Sequence, residues 1–250
     1  MLNRQLLTAS VMIILTIPKA WGQSPLSISG TLGGGLLSPL SSDVRGEIYS
    51  TYDYPLSNTS FSLNGKLRVS VPVLPFTFVG SVSYNSLFDS AILPVATPSG
   101  TVNEELTYSV SILAIGVGME YSFLSTPVFK PYASFAASLN LIGGNAKYEN
   151  NVIPEATLNS ISRFGIDLGV GTSLETLFLP LSLDVEVKYR FANAFGKTYD
   201  TSGLPLPGFG GLPQTSSYSL NDATNPNDSR DDPRSINYLV ILVGLNFTIL

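Results

Sequence analysis

The sequence predicts an all-β protein: an eight-stranded antiparallel up-and-down transmembrane β-barrel. Three observations support this fold class, namely high apolarity without long apolar runs, eight segments of alternating polarity, and connections that alternate between short and long. Hydrophobic residues make up 44% of the chain and charged residues 12%. Beyond the N-terminal segment, however, no stretch approaches the ~18 consecutive apolar residues of a helical span. Alternating strands produce such a composition because only every second residue faces lipid.

The first 22 residues have the features of a signal peptide. Arg4 supplies positive charge, residues 6–18 are apolar, and Ala20 and Gly22 place small residues at the positions read before the expected cleavage at Gln23. The apolar stretch is shorter than the ~17 residues that a spanning helix needs, which disfavours a retained anchor helix. We therefore expect a mature protein of one domain, residues 23–250. Because the chain contains no cysteine, it can form no disulfide.

Period-two alternation divides the chain into eight candidate strands. They lie at residues 26–37, 59–71, 76–88, 107–123, 128–143, 160–176, 181–196 and 235–250. Three connections are short and contain proline, at 72–75, 124–127 and 177–180. Four are long and polar, at 38–58, 89–106, 144–159 and 197–234. Because short turns of outer-membrane barrels face the periplasm, we expect both termini in the periplasm of a Gram-negative-type bacterium.

Each strand has one apolar and one polar face, as a wall between lipid and lumen requires. The final strand places on its lipid face Ile241, Val243, Leu245, Phe247 and Ile249, and on its lumen face Gly244, Asn246 and Thr248. The parity of residues 107–123 changes midway, which predicts a bulge near Ile112.

Aromatic residues gather toward both ends of the strands, as in the interfacial girdles of membrane barrels. The short-turn ends carry Phe76, Phe78, Tyr121, Phe123, Phe129, Phe178 and Phe247. The long-loop ends carry Phe61, Tyr84, Phe88, Tyr108, Tyr189 and Phe191. A secreted eight-stranded β-sandwich is the structural alternative, because its strands would alternate similarly.

The inward faces carry charges that nearly cancel, six positive and five negative. These are Lys66, Arg68, Lys130, Arg163, Lys188 and Arg190, against Glu120, Asp167, Glu175, Asp184 and Glu186. An eight-stranded barrel is only wide enough for side chains to fill it, so we expect these charges to pair into a network that plugs the bore. The alternative, a charge-selective pore, would favour an excess of one sign.

The absence of histidine argues against catalysis, since it removes histidine-dependent nucleophilic sites and the usual zinc sites. Lys130 and Ser134 share one strand face and could form a Ser/Lys pair, but both are also ordinary lumen-lining residues. We therefore expect no enzyme, cofactor site or metal site.

The outward loops are predicted to be acidic, with thirteen acids and five bases. The acids are Asp43, Glu47, Asp53, Asp89, Glu104, Glu105, Glu149, Glu155, Asp200, Asp222, Asp228, Asp231 and Asp232, and the bases are Arg45, Lys147, Lys197, Arg230 and Arg234. This surface disfavours nucleic acid and permits divalent cations or an extracellular protein with a basic surface. A solvated, self-repelling loop face is the alternative reading.

Signal peptide, eight strands, short turns and the closing strand together resemble the small outer-membrane β-barrel proteins of the OmpA/OmpX and opacity-protein kind. The resemblance covers residues 23–250 and implies a monomer in outer-membrane lipid. It also implies that the barrel-assembly machinery reads the last strand, with Gly244, Phe247 and Ile249 as the signal. No peptidoglycan-binding domain follows the barrel in this sequence, so a tethering role is not implied.

Two functional classes remain open from the sequence. A structural or adhesion-type surface protein predicts a plugged bore and function in the loops. A small porin or apolar-solute channel predicts a continuous lumen or an opening between strands. The balanced inward charges favour the first class.

Replacing Val185 by arginine should impair barrel stability far more than Asp228→Ala in the last long loop. Val185 lies on a lipid face, where a cation at the bilayer midplane costs ~2–4 kcal/mol. The free energies of unfolding of both variants in lipid vesicles measure the difference. Equal stabilities would show that the face assignment is reversed.

Overall fold

The computed structural model describes residues 26–40, 60–71, 74–97, 100–124, 128–148, 156–175, 181–198, 217–218, 222–223 and 235–249. The predicted signal peptide lies outside these residues. Among them, no helix is long and apolar enough to cross a membrane. The strands are β1 (Ser27–Pro39), β2 (Ser60–Ser70), β3 (Phe76–Thr97), β4 (Gly100–Ser122), β5 (Phe129–Tyr148), β6 (Ala156–Glu175), β7 (Leu181–Phe195), β8 (Ser217–Tyr218) and β9 (Asn237–Thr248).

Eight of these strands form a closed antiparallel ring. Strands β1 to β7 pair in sequence order, β7 pairs with β9, and β9 pairs with β1. The remaining strand, β8, is two residues long and pairs in parallel with β6 outside the ring. The predicted eight-stranded barrel is therefore confirmed, and the sandwich alternative is wrong because the strands form one closed sheet.

The exterior of the barrel is an apolar belt. Every ring strand contributes exposed apolar side chains, which include Leu32, Leu63, Val82, Val117, Phe135, Val170, Val187 and Val243. Val117 is 70% exposed, although its neighbours in sequence are buried or half-buried glycines. Aromatic side chains from both predicted girdles lie on this surface, for example Phe76 at the short-turn end and Phe61 at the long-loop end. Phe178 lies outside the described residues.

Strands β3 and β4 are much longer than predicted, with 22 and 23 residues. Residues 89–106 were expected as a loop, yet their pairing continues from Asp89↔Tyr108 to Thr97↔Gly100. The expectation failed because apolar–polar alternation marks only strands that have lipid on one face. Beyond the belt both faces of a strand meet water, so the ladder persists without the pattern. Strands β5 and β6 likewise extend to Tyr148 and from Ala156.

The predicted bulge near Ile112 is wrong. The registers of β3 with β4 and of β4 with β5 pass Ile112 without a shift, through Asn85↔Ile112 and Ile112↔Ile142. The change of parity arises because Val110 and Ile112 point into the barrel and are buried there. Register shifts occur instead between Ile142 and Gly144 and between Phe164 and Ile166.

The seam between the first and last strands requires glycine. A Cβ built on Gly35 would lie 1.8 Å from the carbonyl oxygen of Ile241, and one on Gly33 would lie 2.6 Å from the Cα of Gly244. Such distances are impossible for a real side chain without movement of the backbone. The close approach of β1 and β9 therefore depends on these glycines.

We expect Gly35→Ala to destabilise the barrel by at least ~1–3 kcal/mol, since the new methyl group overlaps backbone atoms of β9. Gly80→Ala is the matched control, because a Cβ there has nothing within 4 Å and should change stability by less than ~0.5 kcal/mol. Unfolding in urea, followed by the heat-dependent shift in gel mobility, compares the two. A tolerated Gly35→Ala would mean that the seam can relax.

Candidate functional site

Alternating side chains on β2 and β7 bring most of the predicted lumen charges together. Residues on one face of a strand recur at every second position, so each strand aims its charges at the bore. We define the ionic layer as the eight buried charges Lys66, Arg68, Glu120, Asp167, Asp184, Glu186, Lys188 and Arg190. Four are positive and four negative, so the layer has no net formal charge.

Arg68 lies at the centre of one half of this layer. Its Nε and Nη2 donate to the two carboxylate oxygens of Glu120 at 2.7 and 3.1 Å, and Nη2 also donates to Asp184 Oδ2 at 2.9 Å. The hydroxyl of Tyr132 donates to the same Asp184 oxygen at 3.1 Å. The planar guanidinium thus connects carboxylates from two strands, which an ammonium group cannot do in this bidentate form.

Lys66 links this half to the next. Its Nζ lies 2.7 Å from Glu186 Oε2, 3.4 Å from Asp184 Oδ2 and 3.5 Å from Glu120 Oε1. Glu186 also pairs with Lys188 at 3.3 Å and accepts a hydrogen bond from Ser134 at 2.8 Å. Each buried charge therefore has an opposite charge within contact distance, as burial requires.

Asp167 and Arg190 form a separate pair toward the long-loop end. Arg190 Nε lies 3.1 Å from Asp167 Oδ2, and Arg190 Nη1 donates to the hydroxyl of Ser83. Both charged side chains are almost fully buried. This pair continues the ionic layer from β7 to its neighbour β6.

The bore also contains apolar side chains that the lumen prediction did not include, beside buried amides such as those of Asn85 and Asn140. This apolar layer consists of Leu37, Leu87, Val110, Ile112, Ala114, Ile142, Ala192, Tyr238 and Val240, all buried. A signal for it was present, because Tyr238, Val240 and Leu242 share the strand face of Gly244 and Asn246. The sequence analysis treated lumen faces as polar, so these apolar residues were not assigned to the lumen.

Arg163 lies at the outer rim, next to a residue from the last long loop. Arg163 Nε and Nη2 donate to Asp222 Oδ2 and Oδ1, both at 2.9 Å. The same carboxylate accepts from Asn193 Nδ2 and from the Thr198 backbone N–H, also at 2.9 Å. We call these four residues the outer clamp. The expectation that Asp222 belongs to the exposed acidic surface is wrong, because Asp222 is 1% exposed.

Lys130 and Glu175 lie at the opposite mouth and pair with each other. Their side chains are 39% and 46% exposed, in contrast to the ionic layer. They border a cavity of about 380 Å³, which we call the vestibule and which is lined by hydroxyls such as Ser29, Ser122 and Thr248. The vestibule ends at Arg68, Glu120 and Tyr132.

The three residues of the predicted assembly signal lie on the seam. Gly244 is opposite Gly33, Phe247 is opposite Gly30, and the N–H of Ile249 donates to the carbonyl of Ile28 at 2.7 Å. A Cβ on Gly30 would touch the Phe247 ring at 2.8 Å. These contacts give the residues a role in closing the ring, and their reading by assembly machinery stays a prediction.

Comparison with known proteins finds similar solved structures but no matching family model and no curated relative. Neisserial surface protein A is 12% identical, with a TM-score of 0.44, over 90% of this chain and 98% of that one. A major outer membrane protein from Thermus thermophilus is 13% identical, with a TM-score of 0.49, over 90% and 100%. Ail, the attachment invasion locus protein of Yersinia pestis, solved with the heparin analogue sucrose octasulfate, is 12% identical, with a TM-score of 0.38, over 89% and 97%.

Among the residues that the structure describes, no group of three or more acidic, histidine or cysteine side chains could hold a metal ion. The carboxylates of the ionic layer are instead occupied by lysine and arginine. The chemistry that this interior supports is therefore mutual neutralisation of charge.

Asp167→Asn should destabilise the barrel by about 3–5 kcal/mol, since it leaves Arg190 buried without its counter-charge. Replacing Asp167 and Arg190 together by asparagine and glutamine should cost less than the sum of the two single changes. A double-mutant cycle on the free energy of unfolding measures this coupling.

The half-exposed pair of Lys130 and Glu175 provides the control for that cycle. Lys130→Gln and Glu175→Gln should each cost ~1 kcal/mol or less, because water solvates the remaining partner. Similar costs at both pairs would refute the distinction between a buried ionic layer and a wet mouth.

Proposed function

We propose that this chain is an integral outer-membrane protein with a filled bore, whose role is interaction at the cell surface through its outward strands and loops. The observation that carries the proposal is the combination of an apolar belt on every ring strand with two successive layers that occupy the bore. A belt of this extent would be costly in water and favourable in lipid. A bore blocked in this way supports a role outside the lumen.

The orientation follows from the lengths of the connections. We assign the short-turn end to the periplasm and the long-loop end to the medium, as in outer-membrane barrels generally. A membrane strand needs about 9–11 residues, so roughly half of β3 and β4 extends beyond the bilayer. This hairpin carries exposed apolar residues, Ile92 at 69% and Val102 at 42%, beside the exposed acid Glu105. An extracellular protein with apolar and basic contacts fits such a surface.

A small porin is the second candidate, and the vestibule is the observation that favours it. A polar cavity of about 380 Å³ opens from the short-turn end and reaches Arg68 and Glu120. Conduction would require a path past Lys66, Glu186 and the apolar layer. The described side chains leave none of these residues exposed.

The purified protein should produce no large, steady channels in planar lipid bilayers, because the two layers block the bore. The triple variant Lys66→Ala, Glu186→Ala and Ile112→Ala is the positive control for the recording, since it removes side chains from both layers and should increase ion leakage. Large sign-selective channels from the unmodified protein would instead support the porin.

Replacing residues 89–106 with a short turn should reduce the binding of whole cells to an immobilised basic polypeptide such as polylysine by at least fivefold. The truncated barrel should keep its heat-dependent gel mobility, which shows that it is folded. Unchanged binding by a folded, surface-exposed truncation would remove this hairpin from the proposed interaction surface.

A further inference from the structure

The vestibule is a polar cavity that the whole ring surrounds. Each of the eight ring strands contributes at least one residue to its lining. Its floor is closed by buried side chains, since Arg68 donates to Glu120 at 2.7 Å and to the hydroxyl of Tyr132 at 3.3 Å. The volume of about 380 Å³ lies in the range of about 300–1,000 Å³ that is usual for small-molecule sites.

Hydroxyl groups dominate the lining of this cavity. Of the fifteen lining residues, eight are serine or threonine, and only Leu181 has an aliphatic side chain. A serine or threonine hydroxyl can both donate and accept a hydrogen bond, whereas a lysine only donates and a carboxylate only accepts. A lining of this kind matches a ligand that itself carries several hydroxyl groups.

Half of these eight hydroxyls bond to other side chains. Ser70 and Thr77 share a hydrogen bond of 2.9 Å, and Ser182 accepts from Ser173 at 3.2 Å and from Asn246 Nδ2 at 3.0 Å. In the part of the chain that the structure describes, the other four make no side-chain hydrogen bond, namely Ser27, Ser29, Ser122 and Thr248. They come from β1, β4 and β9, so a molecule inside the ring could bond to several of them at once.

The charges of the vestibule are already paired. Glu120 accepts two hydrogen bonds from Arg68, and Lys130 pairs with Glu175. The lining therefore contains two cations and two anions and has no net formal charge. An ionic ligand would have to separate one of these pairs and leave a charge without its partner. A neutral ligand can use the free hydroxyls as they stand.

We propose that the vestibule is a binding site for a small neutral polyhydroxyl molecule of monosaccharide size, which enters from the short-turn mouth. The cavity has room for about a dozen water molecules at ~30 Å³ each, and the hydroxyls of a saccharide can replace their hydrogen bonds to the lining. Because the Tyr132 ring is buried and offers no face for stacking, we expect weak binding. The inference goes beyond the proposed surface role and does not depend on it.

The test titrates D-glucose into the folded protein in lipid nanodiscs, with isotope-labelled threonine methyl groups as reporters in nuclear magnetic resonance spectra. Thr77 and Thr248 line the vestibule, whereas Thr107 is exposed on the long-loop side and is the internal control. D-Glucuronate, an anion, and glycylglycine, a zwitterion, are titrated in the same way. They test whether the site selects a neutral ligand.

Two sets of variants separate the hydroxyls from the charges. The double variant Ser29→Ala and Ser122→Ala removes two free hydroxyls and adds no bulk. Ser38→Ala is its matched control, because Ser38 is an exposed serine of β1 that does not line the vestibule. The double variant Lys130→Gln and Glu175→Gln removes the half-exposed charges and keeps polar side chains. The heat-dependent gel mobility of each variant shows that the barrel is folded.

D-Glucose should shift the methyl resonances of Thr77 and Thr248 in a saturable way and leave that of Thr107 unchanged. The variant of Ser29 and Ser122 should bind at least fivefold more weakly. Ser38→Ala and the variant of Lys130 and Glu175 should bind within about twofold of the unmodified protein, since a typical hydrogen bond contributes about 1 kcal/mol and neither variant removes a free hydroxyl of the vestibule.

Three results would overturn the proposal. Shifts that do not saturate, or that are equal at Thr107, would show that the vestibule is a water-filled mouth only. Unchanged affinity in the variant of Ser29 and Ser122 would show that the free hydroxyls do not bind the ligand. Tighter binding of D-glucuronate or glycylglycine than of D-glucose would exclude a site for neutral molecules.

Discussion

The narrow bore of an eight-stranded ring is the constraint on which the rest of this structure depends. Closure satisfies the backbone hydrogen bonds of every strand but leaves an interior only one layer of side chains wide. Each inward residue must therefore find its partner directly across or beside it. Lys66 illustrates the result, with three carboxylates within 3.5 Å of its Nζ. A balance of four cations and four anions is a condition of burial here, since an excess charge would have no water to stabilise it.

The same constraint explains why the filling changes along the barrel axis. Lys130 and Glu175 border the vestibule, where water reaches both side chains and the pair needs little further support. Arg68 and Glu120 lie at the vestibule floor, and beyond them charges are compensated by other side chains. Toward the long-loop end, apolar residues such as Leu87 and Ile112 lie beside buried amides such as that of Asn85, and the buried pair of Arg163 and Asp222 follows at the rim. The charged pair at the short-turn mouth is thus half-exposed, whereas the pair at the opposite rim is almost fully buried.

The ring of strands could be predicted from sequence because lipid imposes a strict local pattern on every second residue. The residues of the interior were harder to predict, because their pattern is less strict than the alternation that lipid imposes. The bulge predicted near Ile112 was wrong, because an inward apolar residue departs from the polar pattern of a lumen although it suits a packed core. Asp222 could not be placed at all, because its partners Arg163 and Asn193 are 59 and 29 positions away and no local periodicity connects them. The length of the strands beyond the belt was not predicted for a related reason, since described side chains on both faces there, such as Val102 and Asn103, are exposed.

Unequal strand lengths also create strand edges, which the closure of the ring otherwise removes. Within the ring every strand has two neighbours, whereas β3 and β6 continue past the last residues that pair with β2 and β7. The chain treats these edges differently. Pro94 lies in the extension of β3 and has no N–H to donate, whereas the extension of β6 carries a register shift against β5 and pairs with β8. Arg163 lies on β6 next to this extension, and its pair with Asp222 attaches a residue of the last long loop to the same strand. Because Arg163 is buried in the ring, the loss of Asp222 would leave it without its counter-charge, so the attachment of this loop is coupled to the stability of the barrel.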